Sequence, residues 1–209
     1  MYYCLNFNLF FNKISMEVIK HGYHIMTAKL LNSDECKKII DFIEDNLNEF
    51  ETNKPKKGYN TNSIGRMLNL LSDKKEFKEI DDLIFKAVGK SIECFIMENI
   101  SNYGNLIENI KDSGYELRKI IGPTALHADG PELTLSNNNN IIHRVGTIVI
   151  SLSGTGDTLL FPDLDIKVNL EEGTFVFFPP YWTHRHSSEW SGTDTYRIQT
   201  WLTNTKPIL

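Results

Sequence analysis

Two histidines and a carboxylate stand out from the rest of the sequence. Leu126-His127-Ala128-Asp129-Gly130 contains a His-x-Asp pair, and Tyr181-Trp182-Thr183-His184 follows, with His184 lying 57 positions (184 minus 127) beyond His127. Side chains two apart on a strand project to the same face, so His127 and Asp129 can bite one ion. With a third donor from another strand, this 2-His-1-carboxylate set leaves open positions on an octahedral iron, the ligand face of non-haem Fe(II) oxygenases. The competing reading of Asp129-Gly130-Pro131 is an ordinary turn. His21 and His24 are spaced by three, but Gly22 and β-branched neighbours favour strand or loop over helix for residues 17 to 31, which makes them surface histidines.

The elements that must position these donors fall into two textures. Asn32 or Ser33 caps a first helix, with Glu35 placed to reciprocate, and Cys36, Ile39, Ile40, Ile43, Leu47 and Phe50 form its apolar stripe. Residues 51 to 66 carry Pro55, Gly58 and Gly65 and read as a long loop. Ser72 caps a second helix whose stripe is Phe77, Ile80, Ile84, Val88, Ile92 and Phe95, and a short helix is expected within 102 to 114. From Tyr115 onward, β-like runs at 115–121, 145–153, 157–161, 166–170, 173–178 and 195–203 alternate with turn residues. Helices first and strands afterwards predict an α+β protein, with N-terminal helices laid against one sheet of a jelly roll. The Asn-rich run Ser136 to Asn140 reads as a flexible turn beside the proposed metal. Met16 is a second possible start, so residues 1–15 are read as an N-terminal extension or edge strand. Residues 16–209 are read as a single domain, with 16–114 as helical support and 115–209 as the catalytic core.

The 209 residues, 41% of them apolar, suffice for one sizeable core. A net charge of -5 and a pI near 5.7 leave little basic surface for nucleic-acid phosphate, so no nucleic-acid partner is expected. Three cysteines without CxxC spacing support neither a disulfide framework nor a zinc knuckle; they fit a reducing, cytoplasmic setting that also keeps iron ferrous. The first fifteen residues lack the pattern of a secretory signal, and no stretch is long and apolar enough to suggest a membrane span.

Residues 115 to 202 resemble the catalytic half of the prolyl-4-hydroxylase-like branch of the Fe(II)- and 2-oxoglutarate-dependent oxygenases. The resemblance rests on Gly122 and His127-Ala128-Asp129, on Gly156-Asp157-Thr158-Leu159-Leu160-Phe161-Pro162, on Gly173 to Pro179, and on a closing strand ending at Trp201. It implies a double-stranded β-helix with iron held by His127, Asp129 and a distal histidine. His184 and His186 are both candidates. Thr183-His184-Arg185 ahead of Ser191-Gly192 resembles the family's segment and favours His184 as ligand, with His186 beside it as second shell or surface.

The family also holds the distal carboxylate of 2-oxoglutarate on a closing-strand Lys or Arg. Its usual position falls on Thr195, and Arg197, two residues on and on the same strand face, is expected to take that role. Arg185, Arg144, Lys119 and Arg118 are substitutes. Tyr181, Trp182 and Arg185 are candidates for lining a substrate pocket; aromatics at a barrel end are equally ordinary core filling.

The resemblance implies a dioxygenase that hydroxylates a C–H bond of a peptidyl proline, another side chain or a small molecule, consuming O2 and 2-oxoglutarate and releasing succinate and CO2, with ascorbate as a supporting reductant. The alternatives are a non-catalytic jelly roll that binds metal, 2-oxoglutarate or a partner, and a cupin-like enzyme without 2-oxoglutarate.

Overall fold

The computed structural model describes residues 17–49, 51–52, 61–67, 75–103, 110–130, 134–135, 140–154 and 156–207. A hairpin of β1 (Ile19–Gly22) and β2 (Ile25–Lys29) leads into α1 (Ser33–Asp45). Asn32 caps α1 through a reciprocal box: Glu35 N–H donates to its Oδ1 and its own N–H donates to the Glu35 carboxylate, both at 2.9 Å. Next come the short β3 (Glu51–Thr52), β4 (Thr61–Met67), the long α2 (Lys75–Tyr103) and β5 (Ile110–Asp112). The remainder is β6 (Glu116–His127), β7 (Thr134–Leu135), β8 (Asn140–Ser151), β9 (Thr158–Phe161), β10 (Ile166–Asn169), β11 (Thr174–Phe178), β12 (His186–Glu189) and β13 (Thr195–Pro207).

These strands pair in the order β1-β2-β11-β8-β13-β6-β12-β9-β10, every pairing antiparallel. The sheet curls into a nearly closed jelly roll with α1 and α2 on one side. Strand alternation divides the core. On β8 and β11, Ile148, Ile150, Phe175 and Phe177 pack with both helices, while Val149, Val176 and Phe178 face the barrel interior with Leu159 and Phe161. Strands buried on both faces read as continuous apolar runs, as Phe175 to Phe178 do. Phe42 meets Phe77 edge-on at 5.0 Å between the helices, and Phe95 stacks on Phe177 at 4.2 Å, fixing α2 to the sheet.

β6 links two parts of this sheet. Its first half pairs with β13 (Arg197 opposite Arg118), and its end pairs with β12, with His186 opposite His127. Gly122-Pro123 lies between these pairings, where proline cannot donate to a ladder.

Three sequence readings are corrected. Of the stretch 102–114 where a short helix was expected, residues 102–103 end α2 and 110–112 form strand β5, which bonds to β13, while 104–109 lie outside the described residues; local polarity does not reveal a long-range ladder. Residues 61–66, read as loop, belong to β4 and pair with β6 despite their turn-like composition. β12 was not expected, because His186-Ser187-Ser188-Glu189 has no apolar alternation of its own. Ser72, Phe50 and the Asn-rich turn at 136–139 lie outside the described residues, as do residues 1–16. Among the described residues, no helix is long and apolar enough to cross a membrane.

Candidate metal centre

At the His127 end of the barrel, one donor atom each from His127, Asp129 and His186 lies within 4.8 Å of the others. His127 Nε2 is 3.3 Å from Asp129 Oδ1, and His186 Nε2 is 3.9 Å from Asp129 Oδ2. Both imidazoles are oriented the same way. His127 Nδ1–H donates to the Ala125 carbonyl at 2.8 Å and His186 Nδ1–H donates to the His184 carbonyl at 3.1 Å, each two residues back along its chain. Such bonds fix the tautomer, so the Nε2 lone pairs are turned toward the carboxylate. Three acceptor atoms facing one another repel unless a proton or a cation lies between them, and this donor set suits a divalent iron.

The surroundings bias Asp129 and His186 toward their ligating states, the carboxylate and the neutral imidazole. Burial opposes ionisation of Asp129, but the neighbouring His127 and His186 outweigh it, and the carboxyl is held well below its ordinary range. Burial lowers the affinity of His186 for a proton. For His127 the same desolvation is overcome by Asp129, and the net shift is upward. Thr147 Oγ1–H donates to Asp129 Oδ2 at 2.8 Å, and Arg144 Nη1–H donates to the Asp129 carbonyl at 2.6 Å while its guanidinium lies 3.9 Å over the Trp201 ring. His186 packs against the rings of His127, Phe178 and Phe161 at 4.4, 4.5 and 5.8 Å. These aromatics exclude water from one side of the group.

His184, the expected third ligand, is not in this group. It sits in the short helical turn Trp182–His184, where Nε2–H donates to the Tyr23 carbonyl at 2.7 Å and Nδ1 accepts from Thr183 Oγ1 at 2.9 Å. Nε2 is thus spent on the β1–β2 turn, whose Tyr23 and His24 have left-handed backbones (φ 49° and 64°), and Nδ1 on the adjacent Thr183. Register explains the exchange: β12 begins at His186, directly opposite His127. In the sequence His184 and His186 share one strand parity, so spacing alone could not separate them.

Arg197 and Thr195 lie on the barrel side of β13 and converge on Asp157. Arg197 Nη2–H and Thr195 Oγ1–H each donate to Asp157 Oδ2 at 2.6 Å, and Ser191 N–H donates to Oδ1 at 3.1 Å. Burial lowers Arg197's affinity for its proton, while Asp157, despite burial, is held below its usual range by Thr195 and Arg197. Asp157 is the partner that sequence reasoning passed over. Of the pocket candidates, Trp182 is 75% exposed, Tyr181 is half-buried, and Arg185 makes a two-pronged pair with Asp163 at 2.7 Å. Gly130 N–H donates to the Pro180 carbonyl at 2.8 Å, which ties the turn carrying Tyr181 and Trp182 to the residue following Asp129.

No protein-family model and no curated protein matches the sequence. Solved structures do match the fold. A viral collagen prolyl hydroxylase from Paramecium bursaria Chlorella virus-1, in its 2-oxoglutarate complex, superposes with a TM-score of 0.61 at 18% identity, covering 88% of this chain and 98% of that one. A Trichoplax adhaerens prolyl hydroxylase bound to a hypoxia inducible factor peptide fragment gives 0.57 at 14% identity, covering 92% of this chain and 85% of that one. A Pseudomonas putida prolyl-4-hydroxylase gives 0.54 at 11% identity, with 87% and 93% covered. The chain therefore shares the jelly-roll, double-stranded β-helix fold of these solved prolyl hydroxylases.

Proposed function

We propose that this protein is an Fe(II)- and 2-oxoglutarate-dependent dioxygenase, with residues 16–209 acting as one catalytic domain, and that it hydroxylates a C–H bond of a peptide or small molecule. The observation that carries the reading is the convergence of His127 Nε2, Asp129 and His186 Nε2, both imidazoles locked through Nδ1 to backbone carbonyls. These three residues would hold the iron. When bound, iron supplies oxidation of a C–H bond by O2: one oxygen atom enters the substrate as hydroxyl, the other enters succinate, and the 2-oxo acid loses CO2.

The chain's own part is placement. Thr147 and Arg144 hold Asp129 at its side chain and backbone, and the Phe161 and Phe178 rings keep water from His186. Arg197, with Thr195 beside it, anchors the distal carboxylate of 2-oxoglutarate, a task suited to the guanidinium fork. Trp182, with Tyr181 and Arg185 beside it, is an exposed contact for the substrate. The Trichoplax neighbour, solved with a peptide fragment, supports a peptide as one class to try. The free, buried Cys36 and Cys94 suit a reducing, cytoplasmic setting in which iron stays ferrous.

The test is uncoupled turnover. Purified protein with Fe(II), ascorbate and 2-oxoglutarate is expected to release succinate slowly without substrate. Under anaerobic conditions, a visible charge-transfer band is expected only when both Fe(II) and 2-oxoglutarate are present. Iron binding with neither succinate nor band overturns the reading in favour of a metal-binding module.

A further inference from the structure

Besides Arg197, a second guanidinium is built into the same barrel face. Leu117 and Ile198 pack toward the helices, so Arg118 and Arg197, their neighbours in sequence, project to the opposite face of their strands and stand directly across from each other on β6 and β13. Each spends one Nη2–H on a flanking carboxylate: Arg118 on Glu116 Oε2 at 2.7 Å, and Arg197 on Asp157 Oδ2 at 2.6 Å. Each also keeps a buried Nε–H with no hydrogen-bond partner among the described residues.

Holding the buried Arg197 cation beside a partly buried Arg118, each with an unmade hydrogen bond, is costly unless an acceptor arrives to satisfy them. Arg118 stands on β6, the strand that ends in His127, and directly across from Arg197, so one element carries a metal donor and the neighbour of the anion anchor.

The geometry points to Arg118 as a second co-substrate residue: Arg118 and Arg197 together bind the distal carboxylate of 2-oxoglutarate between them. The inference rests on the oxygenase reading above. An acceptor between the two guanidiniums takes N–H donors from both and relieves their mutual repulsion, while Glu116 and Asp157 each keep one Nη2–H of the pair. It follows that the site discriminates 2-oxo acids by the far end of the molecule and needs both arginines to do so.

The experiment compares binding of 2-oxoglutarate with binding of 2-oxobutanoate, which keeps the 2-oxo carboxylate but lacks the distal one. Titrations are made calorimetrically without oxygen on metal-loaded wild type, Arg118→Gln and Arg197→Gln. Losing a charge-assisted hydrogen bond is expected to weaken 2-oxoglutarate about tenfold or more in each variant and to change 2-oxobutanoate by less than about threefold. Arg118→Lys keeps the charge but not the fork and carries the test should the glutamine variant not fold; it is expected to lose about fivefold for 2-oxoglutarate alone.

Equal weakening of both ligands, or unchanged 2-oxoglutarate binding in Arg118→Gln or Arg118→Lys with a loss in Arg197→Gln, overturns the role of Arg118 and leaves the oxygenase reading intact. A metal-loaded wild type that binds no 2-oxoglutarate overturns both.

Discussion

Exchanging alanine for each of the two neighbouring histidines separates the ligand from the latch. His186 Nε2 faces Asp129, so His186→Ala removes one of three donors. Loss of an outer-shell partner alone costs roughly 10–100-fold in metal affinity, so loss of a donor is expected to exceed about 100-fold, or more than about 2.7 kcal/mol. His184→Ala behaves differently. The group it offers His186 is its backbone carbonyl, which alanine retains, and its ring is committed to Tyr23 and Thr183. Metal affinity is therefore expected to fall by less than about tenfold, below the outer-shell range.

Stability should still suffer in His184→Ala, because the Tyr23 carbonyl loses its donor at a left-handed turn; roughly 1–3 kcal/mol is expected. Anaerobic competition titration with a chromophoric Fe(II) chelator gives the affinities, and urea unfolding of the metal-free proteins gives the stabilities. The reverse ranking, with His184→Ala losing iron and His186→Ala keeping it, refutes the assignment of the third donor and the tautomer argument beneath it.

Thr147→Val keeps the shape and removes the hydroxyl that fixes Asp129 Oδ2; metal affinity is expected to drop roughly 10–100-fold in the same titration, with little change in the fold. Asp157→Asn leaves buried Arg197 without its ion-pair partner and is expected to cost about 3–5 kcal/mol in urea unfolding. The folded Asp157 carboxyl titrates below its unfolded value, so its stabilisation is complete above the unfolded pKa and is lost as pH falls through the folded one; wild type should show this acid-side loss and Asp157→Asn should lack it. At Gly173 (φ +71°) an added Cβ would lie 2.1 Å from the Leu31 carbonyl oxygen, whose chain is pinned there by Leu30 and Leu31 N–H donors to Gly173 O. Gly173→Ala therefore combines a left-handed backbone with a clash against main chain, and is expected to lower stability by at least about 3 kcal/mol or prevent folding, read as the urea midpoint or soluble yield.

Local chemistry is what the sequence determined. The Asn32–Glu35 capping box, the stripes Cys36-Ile39-Ile43 and Phe77 to Phe95, and the apolar run before Pro179 depend on residues within a turn or two of each other, and these features were legible. His127 and Asp129 were legible too, because strand parity places neighbours two apart on one face. What tertiary structure alone decided is which distant group meets them. His184 and His186 have the same parity; the pairing of β12 with β6 placed His186 opposite His127, and the β1–β2 turn claimed His184. Asp157 could not be foreseen as the counter-ion of Arg197, nor Arg118 as its cross-strand neighbour, since both depend on ladders between segments that sequence spacing does not pair. The strands β4 and β5 were missed for the same reason: their stability comes from hydrogen bonds to β6 and β13, and no pattern inside a few polar residues records a partner that lies far along the chain.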